Sequence, residues 1–198
     1  MENIITEISG KIHSEYSELE LELKRILFEF TDSPISVKFI QSFTGFEFGG
    51  IKLPSAVENT RLEVPFFIAE ILLKENLIED FRNDFPLSLQ DLTAAVRKEV
   101  RHGEVQPLHP YFYSLFNEQV RKSNINDSHY DEIELKRQKD RVKQLITERL
   151  SKIIKLSDST NVNYQKLNLT SSEAVLLKKI NSWVIIWKSL ISQEEQGN

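Results

Sequence analysis

The residues of this chain best suited to metal ligation or proton transfer are four histidines, His13, His102, His109 and His129. A helical zinc site needs two histidines on one face, as in H-x-x-x-H, and none of the four has a partner at such a spacing. His109, between Leu108 and Pro110, suits the start of a helix, and His102, among Arg101, Gly103 and Glu104, suits a solvated turn. The chain has no cysteine, which excludes disulfides, thiolate metal sites and cysteine nucleophiles. Phosphate-cradling patterns such as G-x-x-x-x-G-K-[ST] or G-x-G-x-x-G are absent, as is the G-x-S-x-G nucleophile elbow. Gly45, Gly49 and Gly50 sit among β-prone residues and serve turns instead. Carboxylate pairs such as Glu20 and Glu22 lack the apolar wall that would shift their proton affinity. The expectation is no enzyme: no catalytic residue, no metal ligand and no cofactor.

Composition points the same way. Of 198 residues, 40% are hydrophobic and 28% charged, as in ordinary folded domains, with enough length for one sizeable core and a small satellite. A net charge of −5 is unlike that of a free-standing nucleic-acid binder, so DNA contact is expected to be weak or indirect. No basic segment followed by an apolar run opens the chain, and no stretch approaches the roughly 20 apolar residues of a membrane span. The reading is a protein of the cytoplasm, or of the nucleus in a eukaryote, without a membrane partner.

Elements follow from periodicity. Ile5, Ile8, Ile12, Tyr16, Leu19, Leu23, Ile26 and Phe30 recur at steps of three and four, which predicts a helix over residues 1–30. Leu19, Leu21 and Leu23 alternate with glutamates, so a strand competes locally. After the breaker Thr31-Asp32-Ser33-Pro34, the segments 35–43 and 46–53 are rich in β-branched and aromatic residues. They predict a hairpin turning at Thr44-Gly45, with a bulge or second turn at Gly49-Gly50. Residues 54–60 read as a loop, and Arg61–Val64 as a short extended piece running into Pro65. Helices are then predicted after Pro65, after the cap Ser88 (89–101), after Pro110, over 131–156, and from a Thr170/Glu173 capping box to about residue 192. Residues 124–128 and 157–165 read as polar breaks and 193–198 as a frayed tail.

Two surfaces stand out. The 131–156 helix carries an apolar stripe (Leu135, Val142, Leu145, Ile146, Leu150, Ile153, Ile154) and a basic remainder that includes Arg149, Lys152 and Lys155. A charged side opposite an apolar stripe is what a solvated helix needs. Lys136, Arg137, Lys139, Arg141 and Lys143 are nonetheless candidates for contact with DNA phosphates or an acidic partner. The last helix is apolar around most of its circumference: Leu176, Leu177, Ile180, Trp183, Val184, Ile185, Ile186, Trp187, Leu190 and Ile191. A helix of that kind must be covered on most sides, by its own bundle or by a partner. Partner burial is expected, with Leu177, Ile180, Trp183, Val184, Trp187 and Ile191 at the interface.

Three segments in order resemble a known family. LEVPFFIAEILL (62–73) is similar to the L-E-V/L-P-L-W-L-A signature of GINS subunits, with Phe67 in place of the tryptophan. PLHPYFYSL (107–115) and NLTSSEAVLLKKI (168–180) are similar to later segments of that family. The resemblance spans residues 60–192 and leaves residues 1–30 unaccounted for. It implies a mainly α chain, with a five-helix A domain (63–192) preceded by a small β-rich B domain (1–62) and an extra N-terminal helix. It further implies a non-catalytic scaffold of archaeal B-first type in DNA replication. Its partners would be an A-first GINS subunit in a dimer of heterodimers, the MCM helicase, a RecJ-like protein and primase. On this reading Leu62, Glu63, Val64, Pro65 and Phe67 couple the two domains, with Glu63 accepting hydrogen bonds from helical N–H groups or pairing with a cation. The competing readings are a helical nucleic-acid-binding or regulatory module using helix 131–156, and a small carboxylate enzyme. The first requires steep salt dependence of binding, the second a concave pocket with convergent acids.

Overall fold

The three-and-four spacing at the start of the chain does form a helix, α1 (Glu2–Asp32), and the strand alternative at Leu19–Leu23 does not occur. The computed structural model describes residues 2–81, 85, 87–125, 132–158 and 166–194. Outside the described residues lie the polar stretch 126–128 with His129, the loop 159–165, the tail 195–198, and the side chains of Ile5, Ile8, Ile12, His13 and Leu190. The chain is mainly helical with a small antiparallel strand region. It divides into two compact units, residues 27–86 and residues 1–26 with 87–198.

The 27–86 unit holds β1 (Pro34–Lys38), β2 (Phe46–Phe48), β3 (Ile51–Leu53), β4 (Arg61–Pro65) and α2 (Phe66–Lys74). The expected hairpin at Thr44-Gly45 is corrected here. β1 pairs antiparallel with β4, from Pro34↔Pro65 to Lys38↔Arg61, while β2 pairs with β3 across Gly49-Gly50. The reason is turn chemistry. A type I′ two-residue hairpin loop requires positive φ at both central positions, which Gly49 (+60°) and Gly50 (+83°) supply and a β-branched Thr44 resists. Residues past β1 carry on as single bridges, Phe39 to Ile78 and Phe43 to Ala56. Phe30, Phe66 and Phe81 then pack in series, the first pair tilted and the second edge to face, with ring centroids 4.4 and 5.6 Å apart, over a core that includes Val37, Phe39, Val64 and Leu72. By compactness α2 belongs with the strands, whereas the sequence reading places its boundary between residues 62 and 63.

Gly45 has a different task. Its φ is +81°, and an added Cβ would stand 2.7 Å from the Leu53 carbonyl oxygen and 2.9 Å from the Ser55 nitrogen. Both neighbours are backbone and cannot swing away. Gly45→Ala therefore destabilises the strand unit by about 3 kcal/mol, combining left-handed strain with a steric clash. Gly49→Asn, at an open site that asparagine tolerates, costs less than about 1 kcal/mol. Urea titrations of the two variants check the contrast, and equal midpoints would refute the close-approach explanation.

The second unit contains residues 2–26 of α1 together with α3 (Leu89–Arg101), α4 (Phe112–Ile125), α5 (Glu132–Leu156) and α6 (Ser171–Glu194). α3 begins where Ser88 accepts a hydrogen bond from the Asp91 N–H, as its sequence predicts. His109 helps to start α4 by accepting the Tyr111 N–H on Nδ1 at 3.2 Å; burial holds its pKa below the usual value, which keeps that nitrogen an acceptor. α5 packs against α3 and α6. Its buried seam is Leu135, Gln138, Val142, Leu145, Arg149 and Ile153, at steps of three and four. This corrects the expected stripe. Ile146, Leu150 and Ile154 lie exposed beside the seam, and two polar residues occupy positions within it.

Candidate functional site

The start of α6 is locked by a reciprocal capping box. The Thr170 N–H donates to Glu173 Oε2 at 2.8 Å, and the Glu173 N–H donates to Thr170 Oγ1 at 3.3 Å. From there the seam of α6 runs Glu173, Leu177, Ile180, Val184, Trp187, Ile191, alternating steps of four and three. Successive members of this row occupy one side of the helix. Its environment changes steadily along the helix. Glu173 and Leu177 are buried, Ile180 and Val184 are half-buried, and Trp187 and Ile191 are exposed, with Leu177 at 0% and Trp187 at 61%. Trp183, Ile185 and Ile186, which point in other directions, are exposed as well. The C-terminal half of α6 thus presents apolar side chains all around its axis, on the side its own bundle covers at Leu177 as well as on the others. From Trp183 to Ile191 this amounts to about 12 Å of helix.

A second feature explains what holds the other end of α6 so firmly. Arg149 is 0% exposed, and each of its five guanidinium hydrogens has an acceptor. Nε donates to Glu173 Oε1 (2.6 Å) and Nη2 to Glu173 Oε2 (2.7 Å) and the Asn168 carbonyl (2.8 Å). Nη1 donates to Glu99 Oε2 (2.9 Å) and the Gln106 carbonyl (2.7 Å). Lys152 completes the cluster through Glu99 Oε1 at 2.6 Å, and the Tyr113 hydroxyl donates to Glu173 Oε1 at 2.7 Å. Burial by itself raises the Glu173 carboxyl, but the Arg149 charge and hydrogen bonds, with the Thr170 N–H and Tyr113 hydroxyl, outweigh it and hold the pKa below the usual carboxylate value. Burial and the Glu173 charge push the Tyr113 hydroxyl far above its usual range, so it stays a donor. One cluster therefore joins α3, α4, α5 and α6. Sequence reading missed it. It placed Arg149 and Lys152 on a solvated basic face and did not single out Glu99. The available signal was Arg149 falling on the heptad row of Leu135, Val142 and Leu145.

The remaining candidates distribute as follows. On β4, Val64 is buried, Leu62 and Pro65 are half-buried and Glu63 is exposed, as strand alternation requires. Among the described residues Glu63 accepts no hydrogen bond from a helical N–H and has no cation partner. Phe67, in α2, is half-buried. Of the basic set on α5, Lys136, Arg137, Arg141 and Lys143 are exposed and Lys139 is half-buried. Helical geometry puts Lys136, Lys139 and Lys143 in one row and Arg137 and Arg141 in another, so the five do not form one patch. Arg141 donates to Gln144 at 3.0 Å.

A cleft of about 290 Å³ lies beside Gly103, Glu104, Lys152, Lys155, Lys166 and Asn168. The Lys152 ammonium there is already taken by Glu99 and by the Glu104 carbonyl at 3.0 Å. Among the described residues no group of histidines and carboxylates is placed to hold a metal ion, and no helix is long and apolar enough to cross a membrane. The class defined by fold and site is a mainly helical protein with an exposed apolar helix end. No family model matches the chain, and no curated protein matches it significantly.

Proposed function

We propose that this chain is a non-catalytic scaffold subunit of a GINS-type replication complex, acting by association and bridging the replicative helicase to other replisome components. The observation that carries the reading is the exposed apolar end of α6. A soluble chain rarely leaves two tryptophans and several β-branched residues uncovered on one helix unless a partner covers them. The order of elements supports the family: a small strand region, then helices, with the LEVP segment running from β4 into α2 and the NLT segment opening α6. The occupant of the α6 end on this reading is an A-first GINS subunit in a dimer of heterodimers, with MCM, a RecJ-like protein and primase farther out. The split rows of basic residues on α5 do not favour the nucleic-acid-binding alternative.

Co-expression with an A-first GINS subunit, followed by mass measurement, tests this directly. The expected product is a stable heterotetramer in which tryptophan emission shifts to shorter wavelength. Trp183 and Trp187 are the only tryptophans, and both are exposed in the isolated chain, so the shift reports on their burial. A chain that stays monomeric beside that subunit, with unchanged emission, would overturn the proposal.

A further inference from the structure

The 27–86 unit leaves one sheet edge open. Across the β1–β4 ladder the Phe66 N–H donates to the Ser33 carbonyl at 3.0 Å and the Phe39 N–H to the Thr60 carbonyl at 2.9 Å. Antiparallel partners alternate between pairs that bond each other and pairs whose backbone groups point away. In this register Leu62 and Val64 therefore bond back to Val37 and Ile35, while Arg61 and Glu63 turn their N–H and C=O groups to the far side of β4. Among the described residues nothing bonds to those four groups, and β1 is the one strand beside β4. The far side of β1 differs. Residues 77–79 run along its end, where the Glu79 N–H donates to the Lys38 carbonyl at 2.8 Å and the Ile40 N–H to the Leu77 carbonyl at 3.0 Å.

The side chains on the open edge define what can cover it. Arg61 and Glu63 are exposed on one face of β4, and neither has an ion-pair partner among the described residues. Charges on an edge strand ordinarily prevent pairing. Here they carry both signs, two residues apart, and so select a register instead. When β4 meets a second β4 antiparallel with Leu62 opposite Leu62, each Arg61 stands opposite a Glu63. The outward N–H and C=O groups then pair in four hydrogen bonds. A shift of two residues one way sets Glu63 against Glu63 and Arg61 against Pro65, which has no N–H to donate. The opposite shift sets Arg61 against Arg61. Opposite charges directly across a ladder stabilise it and like charges destabilise it. The Leu62-centred register alone satisfies both charges and backbone, and it is symmetric, so the same patch serves both copies and the pair closes.

We propose that β4 is a self-pairing edge, through which two copies of this chain join antiparallel about Leu62 into a β1–β4–β4–β1 sheet. The α6 end takes no part, and the pairing is independent of the partner proposed for it.

The test uses the full chain carrying Trp183→Ala/Trp187→Ala, which silences association through α6. Sedimentation between about 0.01 and 1 mM, a range suited to a small transient interface, is expected to show a monomer passing to a dimer. Hydrogen exchange of the Arg61 and Glu63 amides is expected to slow at least threefold across the same range, which reads the edge without altering it. Arg61→Glu alone and Glu63→Arg alone change exposed positions and set like charges opposite. Each is expected to keep its circular dichroism and to weaken the dimer at least tenfold. An equimolar mixture of the two variants is expected to pair within threefold of the parent affinity, because every arginine of one then faces a glutamate of the other. A chain that stays monomeric at the top of the range, leaving the edge to a strand of another protein, would overturn the proposal. So would a dimer that tolerates either reversal, a mixture of folded variants that fails to pair, or amides of Arg61 and Glu63 that exchange equally fast in monomer and dimer.

Discussion

Arg149→Met lowers the stability of the helical unit by about 3–5 kcal/mol, the cost of removing one partner from a buried ion cluster. Methionine nearly fills the space, so the effect comes from charge rather than from a cavity. The variant leaves Glu173 buried with only the Thr170 N–H and the Tyr113 hydroxyl, and leaves Glu99 with Lys152, the Gln106 N–H and no guanidinium. Two backbone carbonyls, of Gln106 and Asn168, also lose their donor. The pH dependence distinguishes this account from simple loss of packing. In the parent, Glu173 is held below its unfolded pKa, so its stabilisation is present above the ordinary carboxylate range and is lost as pH falls through the lower, folded value. In Arg149→Met the guanidinium is gone and burial prevails, so the Glu173 carboxyl rises above its unfolded value. Mild acidification then protonates it and restores part of the lost stability. Denaturant titrations of parent and variant between about pH 4.5 and 7.5, the window bracketing the ordinary carboxylate range, check this. A variant within 1 kcal/mol of the parent, or one whose deficit does not shrink toward acid, would show that the cluster contributes little.

Trp183→Ala/Trp187→Ala weakens assembly by about 4 kcal/mol, taking roughly 2 kcal/mol for each anchor, which is close to a thousandfold in affinity. Both residues are exposed, one turn apart on α6, so truncation leaves the fold of the isolated chain intact. That separation of effects makes the experiment decisive. The variant should melt within a degree or two of the parent and give the same circular dichroism, yet fail to form the heterotetramer at micromolar concentration. Leu177→Ala is the complementary control: it is buried against the bundle and should cost about 2–5 kcal/mol in stability before any effect on assembly. If the tryptophan variant melts much lower, those side chains serve the chain's own core. If it assembles with parental affinity, the α6 end is not the anchor.

Local rules carried far in this chain. The 3.6-residue period gave α1 and α5, Ser88 marked the start of α3 to the residue, and the Thr170/Glu173 box marked that of α6. Such signals act within one turn or one heptad, and no distant contact is needed to read them. The apolar circumference of α6 was also legible, because it is a property of one segment. The failures share a different cause. Choosing β4 over β2 as the partner of β1 depends on a pairing 25 or so residues away in the chain, and a periodic pattern does not say which strand is the neighbour. Burial of Arg149 could not be inferred from its own helix. The heptad row admits a charge only because Glu99 and Glu173, 50 and 24 residues distant in sequence, meet it there. The sequence by itself determined where the helices lie, how they are capped and that the last one is apolar around most of its circumference. Tertiary structure alone decided which parts of the apolar rows are covered, because burial depends on where neighbouring elements end: on α6 Leu177 is covered and Trp187 is not.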